Sequence, residues 1–357
     1  MSCFNIAAIP VALAPGQFAG YTVSGELCAT PAELRVGTTV QLLIHGASYN
    51  HNYWDFGTTD GVKSYARDVA AHGFPTFALD SMGSGNSSHP SSDQITVQAV
   101  AYVEHQIVQA LRNGSIAGVP FGKVIIVGHS LGSTAVWEEA ISYGDVDGVI
   151  ITGAAHSLAN AFVNFSPPPF YPAMDDPKFA NSGLDKGYLT TVPGDRSALF
   201  YSSPDRDPAV VAQDEQRKDV FTIAELATGV QLVTSKATLA IHVPVLTMLG
   251  SNDLTTCGRS TQGGNFDCSS GAAVAEQEAP FYSPQARIHG CVVPDSGHSM
   301  SLAINNRLQA ADAVAWSSAF VGQQDSAGSE GFRGSDRCLP WNDGLPWNCG
   351  GVSSGSN

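Results

Sequence analysis

The amino-acid sequence predicts an α/β protein whose core is a mostly parallel β-sheet with helices on both faces. Two observations lead to this fold class. Short apolar runs alternate with segments of helical periodicity from residue 36 to 154, and two further apolar runs follow residue 240. Strands that alternate with helices pair in parallel through right-handed crossovers, and a strand that is apolar throughout is typical of a sheet covered on both faces.

The predicted elements follow one another in a regular order. An antiparallel strand pair around a Pro15-Gly16 turn is predicted over residues 5–30. Further strands are predicted over 36–46, 74–80, 123–128, 146–153, 243–250 and 286–293. Helices are predicted over 60–72, 93–112, 133–143 and 300–320.

One segment, residues 155–240, interrupts this alternation. It begins with Pro, Phe, Tyr and Asp and turns helical over 208–235, with Asp207 as the N-cap and Pro208 at the first helical position. Because it falls between two core strands, it is predicted to be an inserted cap. The domain organisation is then a core of 1–154 and 241–321, the cap 155–240, and a Gly/Ser-rich tail 322–357.

Composition narrows the classes of partner. The 357 residues carry a net charge of −15 with only 14% charged residues, so the chain has no basic face for nucleic acid. No apolar run reaches the roughly 20 residues that span a bilayer. We expect a soluble, secreted protein, and since the N-terminus has no signal-peptide pattern, we expect Met1 to precede a mature start.

Cysteine spacing points to an oxidising compartment. Six of the seven cysteines bracket short irregular segments, which indicates disulfide staples and a stapled tail. The candidate pairs are Cys3 with Cys28, Cys257 with Cys268, and Cys338 with Cys349. That pairing leaves Cys291 over, unless Cys291 pairs with Cys257 or Cys268. No C-x₂-C or H-E-x-x-H spacing is present, so the sequence indicates no metal site.

The strongest chemical signal is Gly128-His129-Ser130-Leu131-Gly132. It fits G-x-S-x-G, follows an apolar strand directly and opens a predicted helix, which is the context this motif requires. The small residues let strand and helix approach each other, and the helix N-terminus offers N–H groups to an oxyanion. Ser130 is therefore the predicted nucleophile, and a chance match in a Gly-rich chain is the competing interpretation.

Serine needs a base, and the base needs an orienting carboxylate. His298 is the predicted base because it follows the last strand, where ligands meet an open α/β sheet. Asp253 follows the strand at 243–250 and is the predicted orienter. Asp80 precedes the nucleophile and is interpreted as a structural turn residue, and Asp295 is expected to lie on the same loop as His298.

Two backbone N–H groups are predicted to bind the oxyanion, those of Leu131 and of Ala47 in the turn after the strand at 36–46. The segment after Ala47 is crowded with aromatic and polar side chains, which either line an acyl pocket or pack beneath the cap. The predicted substrate-pocket residues are His45, Tyr49, Trp54, His129 and Phe170.

These motifs together resemble the α/β-hydrolase family over about residues 36–320. The resemblance rests on His45-Gly46, the loop of Asp80, Gly83, Gly85 and Ser87, the elbow at 128–132, Asp253 and His298. It implies an eight-stranded, mostly parallel sheet, a helical cap after the sixth strand, no cofactor, and acyl transfer to water through an acyl-enzyme. Serine rather than aspartate at 130 argues against epoxide hydrolases and haloalkane dehalogenases.

The leading functional hypothesis is a secreted carboxylic ester hydrolase (an esterase, lipase-like enzyme or lactonase) that acts on a small-molecule ester. A secreted serine aminopeptidase is the first alternative. It needs a carboxylate cluster in the cap to hold a substrate ammonium, and the acidic residues available are Asp175, Asp176, Asp205, Asp207, Asp214 and Glu215. A catalytically silent binding protein on the same fold is the second alternative.

Overall fold

The computed structural model describes residues 1–57 and 63–322, together with the backbone of 348–349. Its strands are β1 Ser2–Val11, β2 Tyr21–Ala29, β3 Thr39–Ile44, β4 Thr76–Asp80, β5 Lys123–His129, β6 Gly148–Thr152, β7 Phe170–Pro172, β8 Tyr188–Thr191, β9 Phe221–Thr222, β10 Val245–Gly250, β11 Gly258–Arg259, β12 Asn265–Phe266, β13 His289–Val293 and β14 Asn348–Cys349. Its α-helices are α1 Tyr65–Ala70, α2 Val97–Arg112, α3 Leu131–Ser142, α4 Asn160–Val163, α5 Arg196–Phe200, α6 Pro208–Arg217, α7 Ile223–Val233, α8 Gly271–Glu278 and α9 Asn306–Phe320.

The central sheet has the strand order β1-β2-β4-β3-β5-β6-β10-β13-β14. β2 runs antiparallel to β1 and to β4, and every other neighbouring pair is parallel. The predicted fold class, with eight mostly parallel strands, is therefore confirmed, and β14 adds a short ninth strand at one edge.

Helices cover both faces of this sheet. Along β3, Leu42 and Ile44 pack with α2 and α3, whereas Leu43 between them packs with α1 and α9. Alternate residues of a strand point to opposite faces, so a strand that is apolar at every position fills two cores at once. None of the described helices is long and apolar enough to cross a membrane.

The segment predicted as the cap lies between β6 and β10 and differs from expectation in one respect. The single helix expected over 208–235 is two helices, α6 and α7, separated by β9. β9 pairs with β8 in a three-stranded sheet, and Thr222 ends that strand by capping α7, its side chain accepting from the Glu225 N–H at 3.1 Å. At the start of α6, Asp207 accepts from the Ala209 N–H at 2.8 Å, as an N-cap does.

The disulfides agree in part with the predicted pairs. Cys3 bonds to Cys28 and Cys257 bonds to Cys268. Cys291 is disulfide-bonded too, so the expectation that it is left over is wrong, and it pairs with neither Cys257 nor Cys268. The predicted pairing of Cys338 with Cys349 concerns side chains outside the described residues. The first residues of the helix expected over 60–72 also lie outside them.

Candidate active site

Ser130 sits in a tight turn between β5 and α3. Its backbone is in a strained conformation, with φ 53° and ψ −120°. The turn closes because two neighbours have no side chain. A Cβ at Gly128 would lie 2.6 Å from Ser133 Cα, and a Cβ at Gly132 would overlap the carbonyl oxygen of His45. The strand-turn-helix context expected for the G-x-S-x-G motif is present.

His298 and Asp253 meet at the carboxyl ends of β13 and β10. The Nδ1 atom of His298 lies 3.0 Å from Asp253 Oδ2 and 3.1 Å from Asp253 Oδ1. Thr255 supports this pair, because its N–H and its hydroxyl both donate to Asp253 Oδ1, at 2.8 and 2.7 Å. Asp253 is 1% exposed. With Nδ1 engaged by the carboxylate, Nε2 of His298 is the ring nitrogen left to face a reacting hydroxyl.

Asp80 and Asp295, the two other aspartates near the predicted site, form hydrogen bonds that hold loops and do not contact His298 Nδ1. Asp80 accepts hydrogen bonds from the N–H groups of His51 and Asn86, both at 2.9 Å, and so holds the loop after β4. Burial raises the pKa of Asp80, but the hydrogen bonds and charge of His51, together with the Asn86 N–H, lower it below its ordinary value. Asp295 lies on the His298 loop, where its N–H donates to Ser251 at 2.9 Å.

The turn after β3 brings Ala47 against the elbow. A Cβ at Gly46 would lie 2.9 Å from Ser130 Cβ, so this turn and the nucleophile turn are in close contact. Ser48 has φ 59°, and the Tyr49 N–H closes the turn on the Gly46 carbonyl. Within the described residues, the N–H groups of Ala47 and Leu131 donate to no protein acceptor.

A cavity opens above Ser130. Its volume is about 650 Å³, including the part open to solvent, and Ser130 and His298 both line it. The lining is mostly apolar and contains no charged side chain among the described residues, apart from the titratable His298. The apolar side chains come from the core and the cap: Ala47, Leu131, Ala154, Ala155, Leu158, Phe162, Phe170, Phe200, Leu226, Val230 and Val233.

Of the five predicted pocket residues, only Phe170 lines this cavity. His45, Tyr49, Trp54 and His129 are buried away from it, which corrects their expected position. His129 stacks on Tyr53 with ring centroids 4.2 Å apart, and burial together with the neighbouring His298 lowers its pKa well below the ordinary value. Trp54 is fully buried in the core.

His45 and Tyr49 hold the loops around the site instead. The His45 ring accepts from the Ser81 N–H at 3.1 Å and contacts the Gly46 carbonyl through Nδ1 at 2.9 Å. Tyr49 shares a hydrogen bond of 2.7 Å with the hydroxyl of Ser299, the residue after His298. Both side chains are thus structural neighbours of the reacting groups.

Sequence reasoning missed a buried ion pair behind the site. Arg196 of α5 donates twice to Asp214 of α6, at 2.9 and 2.8 Å, and also to Ser48 Oγ at 2.7 Å. Asp214 also accepts from the hydroxyls of Tyr49 at 3.3 Å and Tyr201 at 2.8 Å. We call this set of five residues, with Ser299, the polar layer. Burial alone lowers the pKa of Arg196, but attraction to Asp214, Tyr49 and Tyr201 and the hydrogen bond to Asp214 together raise that pKa above its ordinary value.

The fold agrees with comparisons to known proteins. Residues 41–315 match the model of the "Alpha/beta hydrolase family". The chain belongs to that family. As an α/β hydrolase it shares its fold with a soluble variant of monoglyceride lipase from Saccharomyces cerevisiae, with a TM-score of 0.59, 16% identity, and 89% of this chain and 97% of the other covered.

Two esterase structures show the same fold. A thermophilic esterase from Thermogutta terrifontis is 17% identical with a TM-score of 0.52, covering 87% of this chain and 97% of the other. The esterase domain of a Rhodothermus marinus protein is 14% identical with a TM-score of 0.51, covering 90% and 100%. A curated relative, "Epoxide hydrolase 3" of Xenopus tropicalis, is 29% identical over 121 residues, which span 34% of this chain but only 29% of the relative.

Proposed function

We propose that this α/β hydrolase cleaves a carboxylic ester through an acyl-enzyme formed on Ser130. The observation that carries the proposal is that Ser130 and His298 face one apolar cavity while Asp253 binds the far nitrogen of the His298 ring. A nucleophile, a base and an orienting carboxylate in that arrangement are the parts that acyl transfer requires.

The reaction uses these groups in two half-steps. His298 Nε2 takes the proton of Ser130 Oγ as the oxygen attacks the ester carbonyl carbon, and Asp253 stabilises the imidazolium that forms. The alkoxide oxygen of the tetrahedral intermediate is bound by the N–H groups of Ala47 and Leu131. His298 then protonates the departing alcohol. In the second half-step a water molecule attacks the acyl carbonyl carbon as His298 takes its proton, the bond to Ser130 Oγ breaks, and His298 returns the proton to Ser130 Oγ as the acid leaves.

The cavity lining favours an uncharged ester over the substrate of an aminopeptidase. Holding a substrate ammonium requires a carboxylate at the cavity wall, and among the described lining residues there is none. The cap carboxylates are committed elsewhere: Asp214 to Arg196, and Asp176 to Lys218 at 2.7 Å. The remaining cap carboxylates considered for that role do not line the cavity either.

The nucleophile is tested with a fluorophosphonate probe and p-nitrophenyl esters of increasing acyl length. Wild type is expected to be labelled at Ser130 and to hydrolyse the esters, whereas Ser130→Ala loses labelling and at least about 10⁴-fold in kcat. Ser142→Ala, a hydroxyl on the same helix α3, is the matched control and retains both. Unlabelled wild type would support a silent binding protein, and release of amine from aminoacyl anilides would support an aminopeptidase.

An epoxide hydrolase is the second candidate that the curated relative suggests, although that match covers little of either protein. The family resemblance implies an aspartate nucleophile for an epoxide hydrolase, whereas this chain has Ser130 at the elbow. Incubation with styrene oxide is the test: diol formation that persists in Ser130→Ala would overturn the serine ester mechanism.

The proposal also includes secretion. Two intrachain disulfides are described, and such bonds persist in oxidising compartments. Fractionation of the native host is the measurement, with the protein expected in the medium with oxidised cysteines. Recovery of the protein from the cell interior with free thiols at Cys257 and Cys268 would contradict it.

A further inference from the structure

A cluster of potential metal-binding side chains lies away from the cavity, between α2, α3 and the loop that follows α3. It consists of His105 on α2, Glu139 on α3 and Asp145 in the loop, whose ligand atoms all lie within 4.8 Å of one another. Glu139 is eight residues beyond Leu131, about 12 Å along the helix from the elbow. We propose that these three side chains bind a divalent transition-metal cation of the Zn²⁺ type.

Glu139 is the side chain that calls for a ligand. It is 0% exposed, and neither of its carboxylate oxygens has a hydrogen-bond partner among the described residues. A buried carboxylate without a donor is strongly unfavourable, because it has lost its water and gained nothing in return. A cation bound between Glu139 and its neighbours supplies the missing positive charge.

The geometry of the other two groups supports a shared cation. His105 Nδ1 approaches Asp145 Oδ2 to 2.8 Å, yet this nitrogen forms no hydrogen bond of acceptable geometry with any described residue. The 2.8 Å separation is that of an ion pair, and it widens to roughly 3.3–3.6 Å, the edge of a tetrahedron with bonds of about 2.0–2.2 Å, when a cation binds between the two atoms. Asp145 Oδ1 is likewise buried without a partner in the described part of the chain.

The surroundings hold the three groups in place. The guanidinium of Arg112 donates to the Asp145 carbonyl oxygen from Nε at 3.1 Å and from Nη2 at 2.7 Å, and the Gln109 amide donates to Asp145 Oδ2. The Tyr143 ring stacks on His105 with centroids 4.3 Å apart. Such outer contacts fix the orientation of metal-binding side chains.

The donor set selects the class of cation. One imidazole nitrogen with two carboxylates suits Zn²⁺ and similar transition metals, whereas Ca²⁺ and Mg²⁺ prefer ligand sets made of oxygen alone. The side chains of His105 and Asp145 are 26% and 19% exposed, so a cation has access from solvent, and water completes its coordination. The ligands come from three separate segments, which explains why no metal-binding spacing appears in the sequence.

The competing interpretation is that Glu139 is protonated and donates to Asp145. Glu139→Gln distinguishes a protonated Glu139 from a cation ligand. A glutamine amide still donates to Asp145, but it cannot bind a cation as a carboxylate does. Glu138→Gln is the matched control, because Glu138 is the neighbouring, partly exposed carboxylate of α3. His105→Gln removes the nitrogen ligand while leaving the buried Glu139 in place.

The experiment starts from purified full-length protein treated with a chelator and then dialysed. Added Zn²⁺ is expected to raise Tm by several degrees in wild type and Glu138→Gln, to bind at one site by calorimetry, and to do neither in Glu139→Gln or His105→Gln. Ca²⁺ at the same concentration should leave Tm unchanged. Circular dichroism checks that each variant is folded before metal is added.

Two outcomes overturn the proposal. If Zn²⁺ leaves wild-type Tm unchanged and calorimetry finds no site, the protonated-carboxyl interpretation is correct. If Glu139→Gln binds and responds as strongly as wild type, the ion binds elsewhere on the surface. Neither result bears on ester cleavage, because the cluster contains no residue of the cavity.

Discussion

Ser130 and His298, the proposed reacting residues, lie between two regions of opposite character. In front of Ser130 and His298 the cavity wall is almost wholly apolar, and much of it comes from the cap. Behind them, the polar layer ties Arg196 and Asp214 of the cap to Ser48 and Ser299 of the core, with no exposure of Arg196. In the proposed function, the segment predicted as the cap therefore acts in two ways: its apolar side chains shape the substrate space, and its ion pair fixes the loops that carry the proposed reacting groups.

The largest expected effect comes from the orienting carboxylate, which belongs to neither region. Asp253→Asn should lower kcat by about 10⁴-fold, because an amide no longer stabilises the imidazolium and favours the wrong tautomer. Steady-state hydrolysis of p-nitrophenyl butyrate measures it. Asp295→Asn, on the same loop as His298, is the control and should change kcat less than about threefold. Similar losses in both variants would mean that Asp253 is not the orienter.

Breaking the polar layer should have the next largest effect. Arg196→Met leaves Ser48 without its donor and is expected to lower kcat by about 10- to 100-fold with little change in KM, since the Ala47 turn and the Ser299 loop lose their common anchor. Arg206→Met, on an exposed arginine that bonds to Ser197, is the control.

Removing one partner of a buried ion pair is strongly destabilising. A loss of kcat in Arg196→Met must therefore be distinguished from a loss of folded protein by variants that keep the interior neutral or charge-paired. The double variant Arg196→Met with Asp214→Asn restores neutrality and should regain stability but not kcat. Arg196→Lys should recover part of kcat. If the double variant recovers full kcat, the ion pair serves stability alone, and Arg196 does not position the site.

A smaller effect is expected from the apolar side. Phe170→Ala removes a ring from the cavity wall and should shift kcat/KM by about 10-fold in favour of longer acyl chains, because a larger space accommodates more methylenes. The ratio of activities on butyrate and decanoate esters reports the shift. Phe18→Ala, 90% exposed, serves as the control. An equal loss on all chain lengths would place Phe170 outside the acyl space.

The smallest effect is on stability and comes from two buried carboxyls, Glu225 of α7 and Glu104 of α2. Burial raises the pKa of Glu225 from 4.5 to about 8, and burial followed by repulsion from Glu225 raises the pKa of Glu104 well above its ordinary value. A carboxyl whose pKa is higher when folded favours the fold most below the unfolded value, so stability should fall from about pH 4.5 towards 8 and then level off as far as Glu225 is concerned.

Glu225→Gln should remove much of this pH dependence, and chemical denaturation at pH 5, 7 and 9 measures it. Glu276→Gln, an exposed carboxylate on α8, is the matched control and should retain the wild-type profile. An unchanged slope in Glu225→Gln would show that Glu225 ionises in the folded protein as it does in the unfolded chain.

The central sheet, the elbow at Ser130 and the contact between His298 and Asp253 could be predicted because they depend on local sequence patterns. Apolar runs of strand length predicted β3, β5 and β10. The small residues around Ser130 predicted the tight turn between strand and helix. His298 and Asp253 each follow a core strand, so parallel order alone brings them to one edge of the sheet. Their contact through Nδ1 agrees with that expectation.

The remaining features depend on packing that no local pattern contains. Tyr49 and Trp54 are aromatic and close to Ala47 in sequence, yet both are buried in the core and neither lines the cavity. Arg196 and Asp214 are 18 residues apart in a segment of irregular composition, and their bond forms only because α5 and α6 fold onto the Ser48 turn. Asp214 was even considered as a site for substrate ammonium.

The position of the polar layer has a consequence for how such a chain diversifies. Ser130 precedes the inserted segment and Asp253 follows it, so recombination at its two ends would leave both in place. An exchanged insert without a counterpart to Arg196 would, however, leave the buried Ser48 hydroxyl without its hydrogen-bond donor. Changes in specificity are therefore more accessible through substitutions along α7 and around Phe170 than through replacement of the whole insert.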